Sequence, residues 1–143
     1  MGYKFGSRSL ERLEGVNPLL LKCAKLALDM SIYDMTIPPD GGYRSAQDQY
    51  RIFSTGASQK DGYKKKSYHQ TGNALDAIPV EGLYANDKGF RHFARCMFKA
   101  WQILIFEGEV PKGTFLEWGG HWQNFIDVPH WQIVERKYTV PEI

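Results

Sequence analysis

The clearest pattern of apolar and polar positions belongs to a long segment that begins at Asn86 and Asp87. Its apolar side chains recur at helical spacing, and they are Phe90, Phe93, Ala94, Met97, Phe98, Trp101, Leu104 and Ile105. Asn86 and Asp87 belong to the residue types that cap helix N-termini. The pattern therefore predicts a long helix whose apolar stripe packs into the core and is not a binding face.

Two shorter helices are predicted earlier in the chain. Asn17 followed by Pro18 is typical of an N-cap and a first helical position, which predicts a helix that runs to about Met30. Ser45 can cap a second helix that runs to about Ser54. The polar residues 57–67 lack periodicity, which indicates a surface loop.

Short apolar segments bounded by glycine or proline predict strands. They lie at residues 36–38, 42–43, 74–78, 115–118 and 129–134. Helices come first and strands gather in the later half, which predicts an α+β fold with a small antiparallel sheet rather than alternating α/β units. Without an internal repeat or a linker, we expect one domain over residues 1–143.

Composition narrows the function only a little. Hydrophobic residues make up 43% and charged residues 24% of the chain, as in ordinary globular proteins. A net charge of +2 is too small to indicate a nucleic-acid partner. No apolar segment resembles a signal peptide or a membrane span. We therefore predict a soluble monomer, made in the cytoplasm without a membrane partner, that needs release to act outside it.

The two cysteines, Cys23 and Cys96, form no CxxC pair and lie in segments that are predicted to be helical. Buried free thiols are the favoured interpretation, and a disulfide is the alternative.

Candidate chemistry centres on His69, Asp76 and His130. Asp76 lies in an apolar, strand-like segment, where a carboxylate is rarely buried without a partner. Two imidazoles and one carboxylate form a known catalytic zinc set that leaves the fourth position open. The alternative is that His69 and Asp76 only form a hydrogen bond across a turn.

A second acidic residue, Asp127, precedes His130 by three positions, and Pro129 stiffens the segment between them. A carboxylate close to an activated water can take its proton and pass it to a leaving amine. Asp127 could equally be a turn residue. His92 falls outside the apolar stripe of the long helix, which predicts a solvated surface position.

Four segments of the chain show a resemblance to a known family. SYHQTGNALD is similar to the SxHxxGxAxD motif of zinc peptidases that cleave bacterial cell-wall peptides. DVPH resembles that family's second motif, WGGHW resembles the segment before it, and GGYRSAQDQ resembles an earlier region with an arginine and a glutamine. The family includes D-alanyl-D-alanine carboxypeptidases and the L-alanyl-D-glutamate endopeptidases of phage endolysins, and it shares a hedgehog-like fold.

The resemblance implies a role for each matched residue. Three of them would bind zinc as the cofactor: His69, Asp76 and His130. Asp127 would be the general base, and Arg44 would stabilise a carbonyl or carboxylate of the substrate. Gln47 would contact the substrate or brace its helix. The Asp-Val-Pro before His130 departs from the small residues of many relatives, which leaves the shape of the substrate groove open.

Two further features carry weaker signals. His121 lies between two tryptophans and is expected to be structural, because the ligand set is already complete. The lysine run Lys64–Lys66 is either a solvated loop or a source of attraction for the carboxylates of cell-wall peptides. No basic stripe or stacking platform accompanies it, so nucleic acid is a poor third partner.

The resemblance thus implies a phage endolysin that acts on the stem peptide of peptidoglycan as an L-alanyl-D-glutamate endopeptidase. A D-alanyl-D-alanine carboxypeptidase is the first alternative, although the lack of a signal peptide argues against it. A zinc-containing binding module without catalysis is the alternative of another class, and the presence of Asp127 argues against that one.

Overall fold

The computed structural model describes residues 2–136, which form helices and short strands. The helices are α1 (Ser7–Arg12), α2 (Pro18–Met30), α3 (Ala46–Ser54) and α4 (Asp87–Phe106). The strands are β1 (Met35–Thr36), β2 (Ala74–Asp76), β3 (Ile78–Pro79), β4 (Thr114–Trp118) and β5 (His130–Glu135). Single 3₁₀ turns lie at Tyr68–Thr71, Leu83–Ala85 and Gly119–His121. The predicted α+β class is confirmed.

The three predicted helices begin at the predicted capping residues. The side chain of Asn17 accepts a hydrogen bond from the backbone N–H two residues on, at 2.9 Å. Ser45 and Asn86 each accept from the N–H three residues on, at 3.1 and 2.9 Å. Each cap satisfies a donor that the first helical turn leaves free.

The core lies between α2, α4 and the sheet. α2 buries side chains at helical spacing, namely Leu20, Cys23, Ala24, Ala27 and Leu28. Trp131 of β5 is 1% exposed, meets Phe93 of α4 edge to face, and stacks on Trp118 of β4. The apolar stripe of α4 is therefore core, as predicted, except that Ile105 at its end is exposed. Cys23 and Cys96 are buried free thiols, also as predicted.

The larger sheet is antiparallel with the strand order β2-β5-β4. Its register places Asp76 opposite His130 and Glu117 opposite Gln132. Because side chains alternate along a strand and Trp131 faces the core, His130 and Gln132 face the other way. One face of this sheet packs on helices, and the opposite face presents the polar side chains of the candidate site. β1 and β3 form a separate antiparallel pair.

Two local predictions were wrong, and one helix was missed. Gly42 and Tyr43 are not in a strand, because the carbonyl oxygen of Gly42 accepts from the side chain of His69 and is not part of a strand ladder. His92 is half-buried, and its Nε2 accepts from the N–H of Ile32 at 3.1 Å. The missed helix is α1, which is tied to the core through the hydroxyl of Ser9.

Among residues 2–136, every helix is too short or too polar to cross a membrane.

Candidate active site

Three side chains converge on the open face of the sheet. Asp76 and His130 come from adjacent strands, and His69 comes from the 3₁₀ turn that precedes β2. His69 Nε2 lies 3.2 Å from His130 Nδ1. Asp76 Oδ1 lies 3.3 Å from the first nitrogen and 3.4 Å from the second. The structure thus brings together the three predicted ligands, within 4.8 Å of one another.

The sequence around His69 explains how the side chain is placed. The hydroxyl of Ser67 accepts a hydrogen bond from the His69 N–H. The Ser67 N–H in turn donates to the side-chain oxygen of Gln70, and the two bonds form a capping box. Gly72 ends the turn with φ +79°, a left-handed conformation that glycine adopts without strain. A Cβ at this position would also lie 2.3 Å from the carbonyl oxygen of Gly15. The serine, glutamine and glycine of this motif therefore hold the backbone of His69 in place.

The outer nitrogen of each histidine has a fixed partner. His69 Nδ1–H donates to the carbonyl oxygen of Gly42 at 2.8 Å. His130 Nε2–H donates to Gln132 Oε1 at 2.7 Å, and the amide of Gln132 donates to Glu117 at 3.0 Å. Glu117 is in turn paired with Arg136. Each neutral imidazole therefore presents an unprotonated nitrogen to the other and to Asp76.

Two lone pairs and a carboxylate oxygen that face one another require a cation between them. Asp76 Oδ1 is buried and has no hydrogen-bond partner among the described residues. Burial raises the pKa of Asp76, and positive charge on His69 and His130 would outweigh it and hold the pKa well below its usual range, so the carboxylate needs a proton or a metal ion in this cluster. These residues fit a metal ion with nitrogen and oxygen ligands.

Arg44 holds the second oxygen of the ligand carboxylate. Its three donor groups go to Asp76 Oδ2 at 2.9 Å, to Gln49 Oε1 at 3.0 Å and to the carbonyl oxygen of Asp40 at 2.7 Å. Arg44 also lines the cavity beside the cluster. Gln47, the glutamine singled out in the sequence, is exposed and does not line this cavity. Gln49, which is fully buried, was missed.

Asp127 reaches the same cavity from the segment that precedes β5. Its N–H donates to the carbonyl oxygen of Gly119 at 3.0 Å, and its own carbonyl accepts from the N–H of His130 at 3.1 Å. A Cβ on Gly119 would lie 2.2 Å from the Asp127 carbonyl oxygen, so this approach requires glycine. Burial, together with the charge of Asp76, raises the pKa of Asp127.

The cavity has a volume of about 800 Å³. Residues 57–60 and residues 122–125 both contribute to its lining. Tyr84 also lines it, and burial raises the pKa of its hydroxyl, with a further contribution from Asp76 and Asp127. His121 is not in the cluster, because it packs against Phe98 and Trp118.

Gln132 and Tyr84 line the cavity but were not predicted from the sequence. The signal for Gln132 was present, since it lies two residues after His130 on the same face of a strand. Nothing in the local pattern around Tyr84 marks it as a cavity residue.

Comparison with known proteins agrees with this geometry. The family model of the phage L-alanyl-D-glutamate peptidase matches residues 1–138. The chain belongs to this family, whose members are enzymes. The predicted relationship to cell-wall peptidases is thereby confirmed.

Individual relatives carry the same name. The L-alanyl-D-glutamate peptidase of Escherichia phage T5 is 39% identical over 139 aligned positions, which cover 85% of this chain and 97% of the relative. That of Listeria phage A118 is 31% identical over 101 positions, which cover 66% of this chain and only 29% of the relative. The L-Ala D-Glu endopeptidase ChiX of Serratia marcescens superposes with a TM-score of 0.74 at 28% identity, over 93% of this chain and 91% of the other.

Proposed function

We propose that the protein is a zinc-dependent endopeptidase that cleaves the bond between L-alanine and D-glutamate in peptidoglycan, as a phage lysis enzyme. The observation that carries the proposal is the convergence of His69 Nε2, His130 Nδ1 and Asp76 Oδ1 in a cavity of a chain that belongs to this family. The names of all three relatives favour the endopeptidase over the D-alanyl-D-alanine carboxypeptidase.

His69, Asp76 and His130 would hold the zinc ion, and Arg44 would keep the carboxylate of Asp76 in place through its second oxygen. When bound, zinc lowers the pKa of a water from about 15.7 towards about 7 and polarises a carbonyl group. Two nitrogens and one oxygen leave a position open for that chemistry, as in catalytic rather than structural zinc sites.

Asp127 is proposed to move the proton. It would accept a proton from the attacking water as the water oxygen bonds to the L-alanine carbonyl carbon. It would then donate the same proton to the D-glutamate nitrogen as the carbon–nitrogen bond breaks, so that an amine leaves. The position of Asp127 in the cavity lining, with its carbonyl bonded to the N–H of His130, supports this role.

We propose two roles for Arg44, one toward the ligand carboxylate and one toward the substrate. Since its donors already contact Asp76, Gln49 and Asp40, its first role is to position the ligand carboxylate. Its place in the cavity lining also allows contact with the substrate carbonyl. A substrate contact by Gln47 stays a prediction of the family resemblance.

The test is digestion of purified peptidoglycan followed by mass spectrometry of the products. We expect new N-terminal D-glutamate and new C-terminal L-alanine, with activity lost after chelation and restored by zinc. Release of terminal D-alanine alone would show the carboxypeptidase instead. Binding of peptidoglycan by the zinc-loaded protein without any new termini would show a binding module.

A further inference from the structure

We infer that Lys60 forms a carboxylate-binding subsite that recognises the free carboxylate of D-glutamate on the leaving side of the scissile bond. This inference rests on the proposed function and adds to it the group that orients the substrate.

The chemistry of the substrate places a negative charge on one side of the bond only. A glutamate residue has two carboxyl groups, and whichever one continues the peptide chain, the other stays free. L-alanine has a single carboxyl group, and it forms the scissile bond. A cation in the cavity would therefore distinguish the D-glutamate side from the L-alanine side.

The cavity offers a cation for this purpose. Apart from histidines, the positively charged side chains in its lining are Arg44 and Lys60. The charge of Arg44 is already paired with the Asp76 carboxylate, and three of its five N–H groups are taken by Asp76, Gln49 and Asp40. Lys60 takes part in none of the ion pairs found within residues 2–136. Its charge is therefore free for a ligand.

The backbone that carries Lys60 is fixed. The buried side chain of Gln49 donates to the carbonyl oxygen of Lys60 at 2.8 Å, and the N–H of Lys60 donates to Ser58 Oγ at 3.1 Å. The next residue, Asp61, accepts from three backbone N–H groups through one carboxylate oxygen. The backbone of Lys60 is thus held in place at the cavity lining, which lowers the cost of ordering this residue around a ligand.

The neighbouring lysines differ in position. Lys60, Lys64, Lys65 and Lys66 are all exposed, but only Lys60 lines the cavity. The other three carry the same charge on the same loop, so they provide matched controls for an effect of general charge.

The experiment pairs a change in the enzyme with a change in the substrate. Zinc-loaded wild type, Lys60→Met and Lys65→Met are assayed on disaccharide stem peptides whose D-glutamate has either a free or an amidated carboxyl group. Wild type should prefer the free carboxylate by about 3- to 10-fold in kcat/KM, as expected for a partly solvated charge contact. Lys60→Met should lose that preference, whereas Lys65→Met should keep the wild-type preference.

Two results would overturn the inference. In one, wild type cleaves both peptides equally well. In the other, Lys60→Met slows both by the same factor, which would assign the side chain a structural role. If neither peptide is cut between L-alanine and D-glutamate by any variant, the proposed function itself is wrong, and the subsite falls with it.

Discussion

The metal-ligand cluster and Asp127 share one cavity, but different kinds of structure hold them. Asp76 and His130 lie opposite each other on paired strands, and each is supported by the ladder of the sheet. Asp127 lies between Gly119 and β5, in a segment whose only regular element among the described residues is the 3₁₀ turn Gly119–His121. Single backbone contacts, chiefly the one to Gly119, keep it in place.

This difference separates metal binding from catalysis. Changes near the sheet should affect retention of the metal first and turnover as a consequence. Changes between Gly119 and β5 should affect turnover while the metal stays. Four sets of variants test this separation, in order of decreasing expected effect.

Replacement of a ligand histidine should have the largest effect. In His69→Ala and in His130→Ala we expect loss of stoichiometric zinc and loss of detectable peptidoglycan cleavage, because two ligands do not make a stable site. Elemental analysis of purified protein measures the zinc directly. His92→Ala is the matched control and should keep its zinc, since His92 lies on α4 outside the cluster. Full zinc content in both ligand variants would refute the assignment.

Asp127→Asn should keep zinc and lose about 10²- to 10⁴-fold in kcat, the usual range for a missing general base. The same variant without metal should melt at a higher temperature than metal-free wild type at neutral pH. The reason is that burial and Asp76 raise the pKa of Asp127, so that its ionised form destabilises the folded state.

The raised pKa of Asp127 makes this stability difference depend on pH. Below the ordinary pKa of aspartate the carboxyl group is protonated in both the folded and the unfolded chain, and the two proteins should melt alike. As pH rises through the folded-state pKa, wild type should lose stability relative to Asp127→Asn. Calorimetry of the metal-free proteins between acidic and neutral pH measures this. A constant difference over that range would show that ionisation of Asp127 is not its cause.

Gly119→Ala should act on Asp127 without touching a ligand. The new Cβ would lie 2.2 Å from the Asp127 carbonyl oxygen, so the segment must shift. A displacement of about 1 Å at a catalytic group costs on the order of 100-fold in rate. Zinc content should be unchanged, and Gly6→Ala, where a Cβ meets nothing within 4 Å, is the control. Turnover close to wild type would show that the segment absorbs the shift.

Gln132→Leu should have the smallest effect and should appear in metal affinity. It removes the acceptor for His130 Nε2–H and leaves Glu117 without its amide partner. Loss of such an outer partner typically costs about 10- to 100-fold in metal affinity. Competition with a chelator of known affinity measures the change. Gln102→Leu makes the same replacement on the exposed surface of α4 and should bind zinc as wild type does.

The sequence predicted best those features that depend on neighbouring residues. The starts of α2, α3 and α4 follow from capping side chains, and the order of the site motifs led to the three ligands. The register that places Asp76 opposite His130 could not be derived, because it depends on pairing between segments more than 50 residues apart. α1 was missed for a similar reason, since its six residues are stabilised by contacts with residues 36 and 37.

The choice of Gln47 over Gln49 as a site residue was also limited by contacts that the sequence does not show. Gln47 and Gln49 lie in the same helix, and spacing from Arg44 does not distinguish them. Only the fold shows that Gln49 is buried against the guanidinium group and that Gln47 is exposed. Similarly, the predicted strand at Gly42 could not be rejected before the carbonyl oxygen of that residue was seen to accept from His69.

Gln49 also decides where this enzyme can be re-engineered. Its buried amide accepts from Arg44, which lines the cavity, and donates to Ser58 Oγ and to the Lys60 carbonyl oxygen at the base of the adjoining loop. A loop transplanted from another peptidase would stay in place only if it still offered these two acceptors. The backbone of residues 63–65 is held by Asp61, which accepts from all three N–H groups, whereas the side chains of residues 63–66 are exposed. Lysins adapted to bacterial walls of different charge could therefore be built by exchanging those exposed side chains while Asp61 is kept.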